Sequence, residues 1–316
     1  MSESQKPTCS VVIPVYNSDQ SLVTLAARLG QILPTVSRHF ELILVNDGSQ
    51  DKSWEVIQDL SRAYDWVRGI HLMRNYGQHN ALLCGVRAAQ YNVIITMDDD
   101  LQHPPEELPK LLSRLAEGYD VVYGFPRKLP HSFWRNWFSR LTKHVLAWVM
   151  GIKIVGEISA FRAFRTELRQ AFAGYQSPAV IIDVLLSWAT TRFTTVLVEE
   201  MPRPYGRSNY NFAALVRQSF LILTGFSTIP LRLASWLGFI FTVFGMGIFL
   251  YVLLLYFLVG SIPGFPFLAS IISLFSGTQL FTLGIFGEYL ARIFDRSMDR
   301  PTYVIGATVG IDAQKS

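Results

Sequence analysis

Apolar residues in the N-terminal part of the chain follow two alternating rhythms. Cys9 to Val15 and Phe40 to Asn46 are short apolar runs rich in Val, Ile and Leu, each closed by a turn residue, the pattern of buried strands. Between them Leu22, Leu25, Leu29 and Leu33 recur at helical spacing over Ser21 to Leu33. Trp54, Ile57, Leu60 and Tyr64 repeat that spacing over Lys52 to Trp66. Further strands are expected at Val67 to Leu72, Val93 to Met97 and Val121 to Gly124, with helices at Gln78 to Ala89 and Pro105 to Glu117. Strand and helix take turns, which is the order of an α/β domain built on a mainly parallel, doubly wound sheet.

The rhythm changes near Pro230. From Leu233 through Gly287 there is no Asp, Glu, Lys or Arg, more than twice the roughly 20 apolar residues that one bilayer crossing needs. Gly260-Ser-Ile-Pro-Gly-Phe-Pro266 interrupts the stretch, so two membrane helices are expected, near Pro230 to Val259 and Phe267 to Ile293. A hairpin buried in a soluble core is the competing account, but its helices would still show a polar stripe. Composition agrees with the membrane: only 16% of the 316 residues are charged and mean hydropathy is +0.27. The expected organisation is a catalytic-sized domain over 1–228, a two-helix membrane domain over 229–293 and a cytoplasmic tail over 294–316.

Charge sets the orientation. Arg217 and Arg232 precede the first span, Arg292, Arg296 and Arg300 follow the second, and the loop between carries none, so both termini are expected in the cytoplasm. The opening MSESQKPTC is polar and reads as no signal peptide. Cys9 and Cys84 lack metal-ligand spacing and suit a reducing compartment. A net charge of +4 and a pI near 9.0 fit a protein resting on anionic lipid. No nucleic-acid partner is expected, because no RNA- or DNA-binding signature accompanies that charge.

Ser132 to Met150, SFWRNWFSRLTKHVLAWVM, adds a second membrane signal. At helical spacing Phe133, Trp134, Trp137, Phe138, Leu141, Val145, Trp148 and Val149 fall within an arc of roughly 160°, while Arg135, Arg140 and Lys143 lie opposite. Docking on the domain core would use the same face, but three tryptophans on it favour an interfacial helix.

Ligands of doubly wound sheets collect where the strands end, and three such ends are polar. PVYN closes the first strand, VNDGSQDKS the second, and the triplet Asp98-Asp99-Asp100 the strand at Val93 to Met97. Adjacent carboxylates repel, and a divalent cation shared with a polyphosphate relieves that repulsion. Mg²⁺ typically takes one or two carboxylates and fills its remaining positions with waters and phosphates. Asp98 and Asp100 have the spacing for it, and Pro104 and Pro105 start the next helix. A solvated acidic loop capping that helix would read the same way. Tyr16 can lie against a base, Asp47 can accept from a uracil imide, and Gly48 permits close backbone approach. Singly these are an ordinary core aromatic and an ordinary turn; together at three strand ends they point to a nucleotide.

The strings SVVIPVYNS, ELILVNDGSQDKS, RNYGQHNALLCG and DDDLQHPPE resemble, in order and spacing, the family-two glycosyltransferases of the GT-A fold. More narrowly the chain is similar to polyprenyl-phosphate glycosyltransferases, which include undecaprenyl-phosphate glucosyltransferases and dolichyl-phosphate mannose synthases. The tail GEYLARIFDRSMDRPTY points to the former branch. The resemblance implies that Pro14, Tyr16, Asn17, Asp47 and Ser49 hold the nucleoside, supported by Arg74 and Asn75. Asp98 and Asp100 would bind ribose and the metal-diphosphate, with Asp99 a bystander. GRSNYN would close on the diphosphate through Arg207, Ser208 and Tyr210. In VGEISAFRAF Glu157 stands where the family carries Asp, and the resemblance gives it and Asp100 the catalytic roles. Arg127, Arg135, Arg140 and Arg162 are candidates for the acceptor phosphate.

The expected function is transfer of a sugar, glucose from UDP-glucose, to undecaprenyl phosphate at the cytoplasmic face of the inner membrane, with Mg²⁺ or Mn²⁺ and direct inversion. A homo-oligomer, with a tetramer as one arrangement, is expected. A lipid phosphate monoester has a second pKa near about 6 and is already largely ionised at neutral pH, so a strong general base is not required. Two rivals remain at this stage. A processive polysaccharide synthase shares the core but usually carries Gln-x-x-Arg-Trp, a string missing here. A non-catalytic nucleotide-sugar sensor would accommodate Glu157.

Overall fold

The computed structural model of the chain describes residues 6–126, 158–177, 180–202, 229–259 and 264–310. The chain divides into two compact units, one of Met1–Asn211 with Asp299–Ser316 and one of Phe212–Met298. The expected interfacial helix over 132–150 lies outside the described residues.

In the first unit the apolar runs form β1 (Thr8–Val15), β2 (His39–Asn46), β3 (Val67–Leu72), β4 (Val93–Thr96) and β5 (Val121–Pro126). The helices between them are α1 (Asp19–Val36), α2 (Ser53–Ala63), α3 (Gln78–Ala88) and α4 (Leu108–Ala116). The four leucines of α1 that set its periodicity are all buried, and Leu108, Leu111, Leu112 and Leu115 form the buried face of α4. Pro105 opens a short 3₁₀ turn, Pro105–Glu107, rather than the α-helix itself, which follows at Leu108. β1 pairs in parallel with β2 on one side and β4 on the other, and β2 pairs in parallel with β3.

Four elements were not legible in the pattern. β6 (Arg162–Arg165) runs antiparallel between β4 and β5, α5 (Ile182–Ala189) follows, and β7 (Phe193–Val198) pairs in parallel with β5. The fourth, β8 (Ile305–Val309), lies antiparallel on β3. Among the described residues the sheet therefore has eight strands, in the order β7-β5-β6-β4-β1-β2-β3-β8. The stretch that reads from sequence as a tail thus supplies an edge strand. It is fastened by Arg87, which approaches Thr302 Oγ1 at 3.5 Å and lies 5.8 Å from the Tyr303 ring centroid. α3 sits flush on the sheet because Gly85 has no side chain: a Cβ there would collide with Val12 and lie 3.1 Å from Val45.

In the second unit α6 (Ile229–Val259) and α7 (Phe265–Ser297) pack together, with the Phe241 and Phe275 rings 6.0 Å apart and Phe275 seated against Gly245. Within α6, Pro230–Ile248 has a mean hydropathy of 1.6. Among the described residues this is the one helix long and apolar enough to cross a membrane. The expected second span falls within α7.

The sheet buries one ion pair at the end remote from the acidic triplet. Glu41 pairs with Arg68, while its other oxygen accepts from Ser10 Oγ at 2.6 Å and the Gln90 amide at 2.8 Å. Both residues are buried, and removing one member of such a pair typically costs about 3–5 kcal/mol because the other charge is left unpaired. Glu41→Ala should therefore lower the thermal midpoint of the solubilised protein sharply. The double replacement Glu41→Leu with Arg68→Met should recover much of that loss, as measured by the same melting curve.

Candidate active site

The ends of β1 and β2 are latched to each other by short polar side chains. Asn17, at φ +53°, accepts from the Gln50 amide at 2.8 Å and donates its own amide to Ser49 Oγ at 3.0 Å. The Ser49 hydroxyl in turn donates to Asn46 Oδ1 at 2.5 Å. Asp47 turns the other way. Its two carboxylate oxygens accept the backbone N–H groups of Tyr76 and Gly77 at 2.7 and 2.8 Å, which pins the loop ahead of α3. Burial pushes its pKa up, and those two hydrogen bonds oppose the rise. Gly48, at φ +67°, makes this approach possible: a Cβ there would lie 2.6 Å from the Arg74 carbonyl carbon and the Asn75 nitrogen. The backbone that comes close at Gly48 is therefore the chain's own.

β4 ends at Thr96 and delivers the acidic triplet into the same crevice. Gln78 Nε2 donates to Asp98 Oδ1 at 2.6 Å, and Asp100 Oδ1 accepts the Gln102 amide at 3.0 Å, an Asx-type turn. Asp99 is no bystander, contrary to the sequence expectation. Its Oδ2 accepts the Tyr16 amide at 3.3 Å and so ties the acidic loop to the end of β1. Burial, reinforced by the charges of Asp98 and Asp100 and opposed by hydrogen bonds from Ser18 and Tyr16, moves its pKa up to about 6.

These groups line a cavity of about 420 Å³ together with Pro14, Asn75, Ser159 and a buried polar floor. The floor is Arg162 and Asp183, which form an ion pair; Arg162 Nε donates to Thr96 Oγ1 at 2.9 Å, and Tyr123 Oη donates to Asp183 Oδ1 at 2.9 Å. Thr96 passes the chain on, donating to the Ala160 carbonyl at 2.8 Å. His79 stands beside the pair. Burial drives its pKa down to about 4, with Asp183 pulling it up and Arg162 pushing it down, so its ring is neutral at physiological pH.

The structure sorts the site residues named from sequence. Pro14, Tyr16, Asp47, Asn75, Asp98, Asp100 and Arg162 line the cavity. Asn17 and Ser49 act on loops, and Arg74 lies 4.7 Å from the Tyr76 ring centroid. Arg162 is 2% exposed, with its guanidinium engaged by Asp183 and Thr96. That is the setting of a fixed internal cation, which departs from the expectation of an arginine open to an incoming lipid phosphate. Glu157, Arg127, Arg135, Arg140, Arg207, Ser208 and Tyr210 lie outside the described residues. Sequence reasoning missed Gln78, His79 and Asp183. The signals were there: polar residues opening α3 within RNYGQHN, and a lone Asp in the apolar run VIIDVLL.

The residues fit a hard divalent cation. Among the described residues no cluster of three or more His, Cys, Asp or Glu could hold a metal by itself. Asp98 and Asp100 offer the two carboxylates with which Mg²⁺ is commonly bound when phosphates complete its shell.

Crevice, acidic pair and mixed sheet together are the features of a GT-A-type fold. Residues 10–172 match the profile of Glycosyl transferase family 2. The chain belongs to that family and, within it, to the polyprenyl-phosphate glycosyltransferases. It is 34% identical over 306 residues to the undecaprenyl-phosphate 4-deoxy-4-formamido-L-arabinose transferase of Proteus mirabilis, covering 96% of this chain and 94% of that protein. With the enzyme of that name from Pseudomonas aeruginosa it is 35% identical over 304 residues, covering 95% and 90%. The fold is also that of glucosyl-3-phosphoglycerate synthase from Mycobacterium tuberculosis, solved with Mn²⁺, UDP and phosphoglyceric acid. That match has a TM-score of 0.52 at 18% identity over 70% of this chain and 78% of the synthase.

The buried His79 leaves a signature in stability. Below its ordinary pKa of 6.5 the unfolded chain takes up a proton that the folded chain refuses until about pH 4. The folded state therefore loses stability as pH falls across that window, by at most about 1.4 kcal/mol per pH unit. Denaturation midpoints measured from pH 7 to pH 4.5 should fall more steeply for the wild type than for His79→Gln.

Proposed function

We propose that this glycosyltransferase moves a sugar from a UDP-sugar to undecaprenyl phosphate at the cytoplasmic face of the inner membrane. The observation that carries the reading is the single cavity in which Tyr16 and Asp47 meet Asp98 and Asp100, in a chain about a third identical along nearly its whole length to named undecaprenyl-phosphate transferases. Tyr16 is 41% exposed and free to stack on a base. Asp47 gives each oxygen to one backbone amide, and a carboxylate has about four lone-pair sites, so it retains capacity to accept a uracil imide. Asp98 and Asp100 would hold Mg²⁺ or Mn²⁺, which supplies neutralisation of the departing diphosphate.

In this reading a lipid phosphate oxygen forms a bond to the anomeric carbon as the bond to the UDP oxygen breaks, with inversion. The nucleophile is ionised before it arrives, so Glu157 serves to orient rather than to abstract a proton. Arg127, Arg135 and Arg140 are assigned to the acceptor phosphate, and Arg207, Ser208 and Tyr210 to the donor diphosphate. The apolar α6, with Trp236, Phe239 and Phe244 exposed on it, supports a membrane anchor. We assign two spans with both termini cytoplasmic, an interfacial helix over 132–150 and a homo-oligomeric assembly.

The donor separates two versions. Glucose follows from the sequence resemblance, whereas 4-deoxy-4-formamido-L-arabinose is the sugar in the names of the relatives. The solubilised full-length protein, given undecaprenyl phosphate and Mg²⁺ or Mn²⁺, should release UDP and form a single-sugar glycolipid from one of these UDP-sugars. Chelation should abolish the reaction. Asp98→Asn and Asp100→Asn should each slow turnover on the order of a hundredfold or more with an unchanged melting curve. Wild-type rates in either variant, or no glycolipid from any donor tested, would refute the assignment.

A further inference from the structure

The strand order works as a ruler for the donor. Along the edge where the cavity opens, β2 presents Asp47, β1 presents Pro14 and Tyr16, and β4 presents the acidic triplet. The next strand is β6. Because β6 runs antiparallel, its first residue, Arg162, lies at this same edge, directly across from Thr96 of β4. Neighbouring strands are about 4.8 Å apart. A nucleotide sugar with its base over β2 and β1 and its diphosphate at β4 must therefore carry its sugar over β6, onto Arg162 and Asp183.

Asp183 is built for more than neutralising Arg162. It is 5% exposed and lines the cavity. Arginine and carboxylate commonly pair through two parallel hydrogen bonds, but here both Arg162 Nη1 and Tyr123 Oη converge on Oδ1 alone. Among the described residues, Oδ2 has no hydrogen-bond partner. A carboxylate this enclosed strongly favours a donor for each oxygen, and a sugar ring carries hydroxyl donors at the required place. Arg162 and Tyr123 fix the carboxylate in position, so a hydroxyl reaching Oδ2 meets a preorganised acceptor.

We propose that Asp183 is a specificity-determining residue for the donor sugar, accepting a ring hydroxyl through Oδ2 while Arg162 and Tyr123 hold it in register. The assignment rests on the sugar-transfer reading and deepens it. Because a site that binds a hydroxyl rejects analogues lacking it, Asp183 selects sugars with a hydroxyl at one ring position.

The test compares UDP with UDP-glucose and UDP-4-deoxy-4-formamido-L-arabinose on the full-length solubilised protein with Mg²⁺, by titration calorimetry and donor KM. Asp183→Asn should bind UDP within about twofold of wild type while affinity and KM for the accepted donor worsen at least about tenfold. A donor lacking the recognised hydroxyl should bind wild type more weakly, yet lose nothing further in the variant. Should Asp183→Asn not fold, Asp183→Glu keeps the charge opposite Arg162 but pushes the carboxylate into the sugar's space, and the same split is expected. Equal losses for UDP and donor, no loss for either, or failure of both variants to fold would make Asp183 a structural counter-ion and overturn the assignment. Failure of the wild type to bind UDP at all would instead bring down the reading beneath it.

Discussion

The parallel pairing of β1 with a neighbour on each side is the constraint from which the site follows. β1 is bonded in parallel to β2 and to β4, so the loops that follow these three strands meet at one edge of the sheet. A crevice opens there for topological reasons. The same pairing brings Tyr16, Asp47 and Asp98, which lie on three different loops, to one cavity. Without that register the acidic triplet would be a run of repelling charges at the end of an isolated strand.

The crevice is held open by carboxylates and small side chains bonding to backbone amides. Asp47 anchors the loop ahead of α3, Asp99 anchors the end of β1, and Asn17 and Ser49 cross-link the first two strand ends. Hydrogen bonds to ionised acceptors are the strong ones, so three loops that would otherwise move independently are fixed before any ligand binds. Several residues whose types point to nucleotide contact thus hold the loops together. The ordering cost of these three loops is met during folding.

Beneath the crevice lies a polar floor, the second buried polar cluster in a sheet rich in Val, Ile and Leu. Arg162, Asp183, Tyr123 and Thr96 satisfy one another almost completely. Such a network rigidifies when every member is bonded and is costly when one is not. Among the described residues the acceptor left over in it is Asp183 Oδ2, on a residue that lines the cavity.

Much of this was legible in the chain itself. Burial on both faces forces continuous apolar strands, and burial on one face forces the helical spacing of leucines. β1 to β5 and α1 to α4 therefore stand in the sequence, as do the uncharged stretch from Leu233 and the acidic pair at Asp98 and Asp100. The elements that escaped are those whose identity is set by a distant partner. β6 is the four residues RAFR, half of them arginine, and it is a strand only because β4 and β5 flank it. β8 joins the sheet only because the chain returns to β3 from far along the sequence. Arg162 meets Thr96 across 66 positions and Asp183 across 21. Periodicity records which face of an element is dry, and that the sequence determined together with the acidic pair and the uncharged stretch. Which dry faces and which buried charges meet was decided by the tertiary structure, because pairing energy depends on spatial neighbours that no local pattern encodes.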